Sequence, residues 1–247
     1  MTPRRRGWEN TIANCSAAKP AVESYRADRI PDMLRSHIDH LVVTAPSLAS
    51  GVEYVREALG VAPQPGGEHE RMGTHNCLLK LGAKAYLEVL AVNPAAPAPN
   101  RPRWFQLDES ESVQVPRLTT WVVRTNDIQA ALAASPVVSG YVTPMSRGEL
   151  NWLITIPRNG ALPLQGIAPT LIQWQVPHPA VALSESGCLL QRLEGFHARA
   201  QKVRDMLDAI GFQGEFSVRA VSPGEPAQLV AHIQTPAGMR RLPPLAA

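Results

Sequence analysis

In SHIDHLVVTAPSLASGVEYVREALG, residues 36–60, an apolar run rich in β-branched residues gives way to a helical pattern. HIDHLVVTA has the composition of a strand. Leu48, Val52, Val55 and Leu59 then recur at helical spacing, with Ser47 placed to cap the start and Gly60 just past the end. The stretch is therefore a β-α unit. His40 stands inside its apolar run, and its role depends on the partners that the rest of the chain supplies.

Working outward, GTHNCLLKLG and AYLEVLAVN read as two strands joined by the short loop GAK, so the first block is β-α-β-β. The connector NPAAPAPNRPRWF, with Pro94, Pro97, Pro99 and Pro102, ends it. The order then recurs. RLTTWVVRTNDIQAALAAS, residues 117–135, lies over HIDHLVVTAPSLASGVEYV and puts Thr120 on His40; NWLITIP and PTLIQWQVPHP follow, with Gln173 on Glu88. A third passage starts at GCLLQRLEGFHARAQKVRDMLDAIGF, whose helix carries Val203, Leu207 and Ile210 on one face, and continues through GEFSVRAV and PAQLVAHIQTPAGMRRL. The expected class is α+β, with modules over residues 34–100 and 101–180 and a C-terminal half over 186–243.

Composition bounds the function. The chain has 247 residues, 45% of them hydrophobic, enough for a sizeable core, and a net charge of only +3 spread along the sequence. Nucleic acid is not an expected partner. Cys15, Cys77 and Cys188 are far apart, which excludes a disulfide framework and a thiolate zinc site and fits a reducing, cytoplasmic setting. No apolar run approaches the roughly 20 residues of a membrane span. Residues 1–33 are polar, with Arg4 to Arg6 unaccompanied by the apolar segment of an export signal, and read as a disordered tail; Met33 is an alternative start. No GxSxG elbow, dinucleotide or phosphate glycine loop, or HExxH pair occurs.

IDHLVV, GGEHERMGTHNCLLKLGAKAYLEVLAVNP, RPRWFQLD, PMSR and LIQWQVPHP together resemble the glyoxalase-like domain family of the vicinal oxygen chelate superfamily. The resemblance implies tandem βαβββ-type modules forming a curled mixed sheet around a cleft, with an additional C-terminal β-α-β-β half. It also implies a divalent metal (Zn, Fe, Mn or Ni) drawn from the first and last strands of each module, which nominates His40, Glu88, Thr120 and Gln173.

Imidazole and carboxylate suit such an ion, whereas Thr120 is a poor ligand and Gln173 offers only a neutral oxygen. His75, if turned inward, completes a two-His, one-carboxylate set with His40 and Glu88. The plainer reading makes His40 a sheet-edge histidine held by Asp39, a backbone carbonyl or water. Glu88 shares a strand face with Tyr86 and Leu90 and looks into either cleft or solvent.

Asn76 and Arg147 are candidates to bind a carbonyl or carboxylate, and Arg103, Trp104 and Phe105, on a loop placed to cover the cleft mouth, to bind an apolar or anionic small molecule there; each has a structural alternative. His178 reads as a turn residue, His69 as solvated on a polar loop, and His197 and His232 receive no role. The expected function is a small oxygenated ligand bound in the cleft, with metal-dependent lyase, isomerase or dioxygenase chemistry. The alternative is a metal-free protein that sequesters its ligand, as bleomycin-resistance relatives do. The odd third module suggests a homodimer.

Overall fold

Alternation and helical spacing resolve into β1 (Ser36–Thr44) and α1 (Leu48–Leu59), the helix opened by a capping box between Ser47 and Ser50 and closed by Gly60 in the left-handed conformation. The computed structural model describes Met1 and residues 33–109 and 114–243. The tail read over residues 1–33 falls, apart from its two ends, outside the described residues.

β2 (Gln64–His69), β3 (Thr74–Lys80) and β4 (Tyr86–Val92) complete the first half, and β5 (Arg117–Thr125), α2 (Ile128–Ala134), β6 (Tyr141–Arg147), β7 (Leu150–Ile156) and β8 (Thr170–Trp174) the second. Each half thus has one more strand than its local pattern shows. QPGGEH and YVTPMSR have weak strand propensity; pairing with β3 and β7 recruits them, and Pro144 is tolerated because β6 is an edge.

The eight strands run β2-β3-β4-β1-β5-β8-β7-β6, with β1 and β5 antiparallel where the halves meet. The sheet is curled, so that Arg71 beside β2 donates through Nη1 to the Pro144 carbonyl of β6 at 2.5 Å. One face carries Leu41, Val43, Leu87, Val89, Trp121 and Val123 and packs on the helices. Gly51 brings α1 close: a Cβ there would stand 2.4 Å from Val89 Cγ1.

β9 (Leu189–Phe196), α3 (Ala200–Ala209), β10 (Phe216–Arg219), β11 (Gln228–Thr235) and β12 (Gly238–Leu242) form a second sheet in the order β10-β9-β11-β12. Its Leu193, Leu229 and Ile233, with Val203 and Met206 of α3, join the same core, and Phe216 stacks on Trp121 at 4.4 Å. Burial of each such side chain contributes about 1.5–3 kcal/mol. The apolar face of the third segment is thus used within the chain, which removes the sequence reason for expecting a homodimer. No helix among the described residues is long and apolar enough to cross a membrane.

Candidate active site

The opposite face of the large sheet lines a narrow cleft with about 470 Å³ of empty space, part of it open to solvent. Strand alternation turns His40 and Val42 of β1 toward it and Leu41 and Val43 away. Strict alternation would also turn Asp39 away. The β1–β5 register prevents this: Ile38 pairs with Val123 and His40 with Val122, leaving Asp39 as the extra residue of a bulge.

The bulge lets neighbouring side chains meet. Asp39, fully buried, accepts from His40 Nδ1 at 2.7 Å through one oxygen, and from Trp174 Nε1 at 2.9 Å and His178 Nε2 at 3.0 Å through the other. Asp39 therefore fixes the imidazole of His40, which also stacks on Tyr86 with centroids 4.6 Å apart. His40 Nε2 faces Glu88 Oε2 at 3.5 Å.

Glu88 reaches the cleft from β4, and its other oxygen accepts from Asn76 Nδ2 at 2.6 Å. Asn76 Oδ1 in turn accepts from Gly67 N at 2.8 Å and Arg147 Nη1 at 3.1 Å. His69 sits alongside, its Nδ1 3.1 Å from Thr74 Oγ1 and its Nε2 accepting from Arg147 Nη1 at 3.5 Å. Trp152, Trp174, Ile154 and Ile172 of the second half face these groups, and Trp104 meets His69 edge to face at 5.0 Å. The segment carrying Trp104 holds Phe105 and Gln106 at φ 55 and 57, a costly conformation for non-glycine residues, braced by Gln106 N donating to the Gly160 carbonyl at 2.9 Å.

The electrostatics separate the two histidines. Burial opposes charge on His40, but the hydrogen bonds and charges of Asp39 and Glu88 prevail and raise it to about 9. Burial likewise opposes charge on both carboxyls; His40 draws Glu88 down to about 2, and His178 with His40 holds Asp39 far below the carboxylate range. For His69 burial dominates and lowers it to about 4, with Arg147 acting against the pull of Glu88. At neutral pH the cleft holds an imidazolium at His40, a neutral imidazole at His69 and two carboxylates. Histidines driven apart in this way are a signature of acid-base sites.

The structure brings His40, Glu88, Asn76, Trp104, Phe105 and Arg147 together and corrects the other candidates. His75 lies on the face of β3 opposite Asn76 and Leu78, so it does not join His40. Gln173 is turned out of the cleft: its Oε1 accepts from Ile128 N at 2.9 Å at the start of α2, while its neighbours Ile172 and Trp174 line the cleft. A one-residue slip in the repeat alignment reverses the face of a strand residue. Thr120 donates to the Gly166 carbonyl at 3.1 Å. Arg103 braces its own loop through Asp108 at 2.5 Å, outside the cleft lining.

His69, read as solvated, is 5% exposed, and His178 adds a contact to Asp39 to its place at a turn. Asp39 does hold His40, as the plainer reading of that histidine has it, but its links to Trp174 and His178 have no sequence signal, and Trp152 and Trp174 are additional cleft residues. Trp152 was the legible one, standing where the repeat has Asn76.

The implied divalent metal needs three or more donors aimed at one point. His75, Thr120 and Gln173 are directed elsewhere, and the Arg147 guanidinium stands 3.5 Å from His69 Nε2. Asp39 and Glu88 already face the imidazolium of His40. Among the described residues no group of three or more His, Cys, Asp or Glu is arranged to hold a metal. The nominated ligands therefore do not converge on one ion, and His69 Nε2, 4.0 Å from Glu88 Oε1, is set against the Arg147 guanidinium.

A curled sheet of two β-α-β-β-β halves around such a cleft is the vicinal oxygen chelate fold. Residues 38–211 match the glyoxalase-like domain family, and the chain belongs to it. A hypothetical protein from Staphylococcus aureus is similar in structure, with a TM-score of 0.52 and 13% identity over 76% of this chain and 86% of its own. A methylmalonyl-CoA epimerase from Mycobacterium tuberculosis gives a TM-score of 0.37 and 16% identity over 56% and 85%. The Streptomyces coelicolor epimerase solved with 2-nitronate-propionyl-CoA gives 0.37 and 17% over 56% and 97%. No curated protein matches the chain.

Proposed function

We propose that the cleft binds a small carbonyl compound bearing a carboxylate or second oxygen and moves a proton on it without a metal, the chemistry of an isomerase or lyase. The observation that carries this is the His40–Glu88 pair, 3.5 Å apart, in one cleft with Asn76 and Arg147. His40 Nε2–H, oriented by Asp39, donates to the carbonyl oxygen and stabilises the charge that develops there. Glu88, positioned by Asn76, takes the proton from the adjacent carbon. Arg147 pairs with the carboxylate. A ligand oxygen entering between His40 and Glu88 weakens the contact that depresses Glu88, so binding itself raises the basicity of the carboxylate. The tryptophan wall gives the cleft one apolar side. The free, buried thiols Cys77 and Cys188 support a cytoplasmic location.

A sequestering, non-catalytic binder is the second reading, favoured by the three tryptophans and by the occupied hydrogen bonds of Glu88. Incubation with a panel of 2-oxo and 2-hydroxy acids in deuterated water separates the two. Expected is deuterium at the carbon next to the carbonyl, lost by about 100-fold or more in Glu88→Gln and His40→Gln and retained after dialysis against chelator. Binding without exchange selects sequestration. Stoichiometric metal that His40→Ala and Glu88→Ala both lose would overturn the metal-free reading.

A further inference from the structure

We propose that a second pocket, lined by Arg101, Tyr141, Thr143, Ile156 and Arg158, binds the phosphate of a phosphate monoester. It does not rest on the chemistry of the cleft. Two segments are locked side by side to build it. Arg101 stands in the loop that leads to Trp104, and Arg158 in the turn after β7. A Cβ on Gly160, at φ 69, would lie 1.9 Å from the Arg103 carbonyl oxygen, so only glycine lets the two backbones touch. Tyr141 and Thr143 share one face of the edge strand β6 and pair with Ile156 and Ile154.

Several arginines elsewhere are neutralised by carboxylates, and those of this pocket are not. Arg56 pairs with Glu53, Arg103 with Asp108, and Arg192 and Arg219 approach Glu194. Arg101 and Arg158 have no carboxylate partner among the described residues, and no acidic residue lines the pocket. Arg158 is held over the Tyr141 ring, 4.6 Å from its centroid, a contact that fixes the cation without neutralising it. Arg101 Nε is buried with no hydrogen-bond partner, so its guanidinium is partly desolvated without compensation.

Two guanidiniums lining one hollow of about 780 Å³, open to solvent, suit a dianion with several acceptor oxygens. A phosphate monoester carries about −1.5 to −2 charge and three such oxygens, which the planar forks of arginine match better than lysine does. Ile156 and the ring of Tyr141 give the pocket an apolar floor, where the organic group of a monoester gains contact that free phosphate lacks.

The test is calorimetric titration of the full chain at low ionic strength with phenyl phosphate, inorganic phosphate and benzoate. Expected is saturable binding of phenyl phosphate, about tenfold weaker binding of inorganic phosphate and weaker binding still of benzoate. Arg101→Ala and Arg158→Ala should each weaken phenyl phosphate by about tenfold or more, Arg158→Lys by less, and Arg192→Ala on the other sheet not at all. Arg158→Lys keeps the charge and the fold, so a graded loss there supports the site even if an alanine variant melts early. Absence of saturable phosphate binding overturns the proposal, as does unchanged affinity in both alanine variants or equal loss in Arg192→Ala. Inorganic phosphate binding as tightly as phenyl phosphate overturns the monoester. Loss of binding in Arg147→Ala alone would place the anion in the cleft and overturn the second pocket.

Discussion

The two halves of the large sheet share an element order and meet at β1 and β5, yet they treat equivalent positions in opposite ways. Where the first half directs His40 and Asn76 into the cleft, the second has Thr120 bonded to the Gly166 carbonyl and Trp152 in the wall. The first half supplies the carboxylates and the cleft imidazoles; the second supplies an aromatic wall, the Arg147 guanidinium and the Trp174 and His178 donors to Asp39. The difference teaches that the repeat conserves backbone geometry while the chemistry resides in side chains at a few inward positions. A polar wall set against an aromatic one also strengthens electrostatic interactions, because the apolar side lowers the local dielectric.

If the first half owes its chemistry to the bulged Asp39, removing that carboxylate gives the largest effect. Asp39→Ala leaves His40, His178 and Trp174 without their shared acceptor and is expected to cost about 3–5 kcal/mol of stability, measured by denaturant unfolding. A loss near that of an ordinary surface substitution would break the assignment of Asp39 as the organiser.

The pH profile of stability sharpens the comparison further, since these titrations all belong to the first half. His40, raised from 6.5 to about 9, contributes stability that is complete below pH 6.5 and is lost as pH rises through 9. His69, lowered to about 4, favours its neutral form, so stability falls as pH drops from 6.5 toward 4; Glu88 adds a further loss between 4.5 and 2. Stability should therefore peak near pH 6.5, each histidine limb amounting to about 3 kcal/mol. His40→Gln should flatten the alkaline limb, spare the His69 loss between pH 6.5 and 4, and shrink the Glu88 loss below 4.5, because His40 is what depresses Glu88. A slope unchanged in that variant would assign the limb to other groups.

How legible the molecule was follows from the same contrast. Apolar alternation in HIDHLVVTA and AYLEVLA carried His40 and Glu88, because both strands have one face in the core. QPGGEH and YVTPMSR carried no such pattern. Their pairing partners make them strands, so His69 read as solvated when it is buried. The Asp39 contact to His40 was legible as a neighbour pair, but the bulge that also gives Asp39 to Trp174 and His178 was not, since a bulge is a property of pairing and not of local sequence. Gln173 was misplaced by one position because its repeat shares too few apolar matches with the first to fix the register.

Gln173 gives the smallest effect and the most direct check on the second half. Its Oε1 accepts from Ile128 N, an amide that no intrahelical carbonyl can reach, next to Asp127, whose carboxylate accepts from Ala130 N. Gln173→Ala removes that acceptor and is expected to cost about 1 kcal/mol while leaving ligand affinity in the cleft unchanged. Gln173→Glu keeps the acceptor and adds charge at a helix start; the gain is opposed by repulsion from Asp127, so stability should stay within about 0.5 kcal/mol of the parent. Were Gln173 a cleft residue, the same change would complete a second carboxylate ligand and raise divalent-metal affinity. Calorimetric titration of Gln173→Glu with zinc and manganese should show no such gain, because the new carboxylate points at the end of α2.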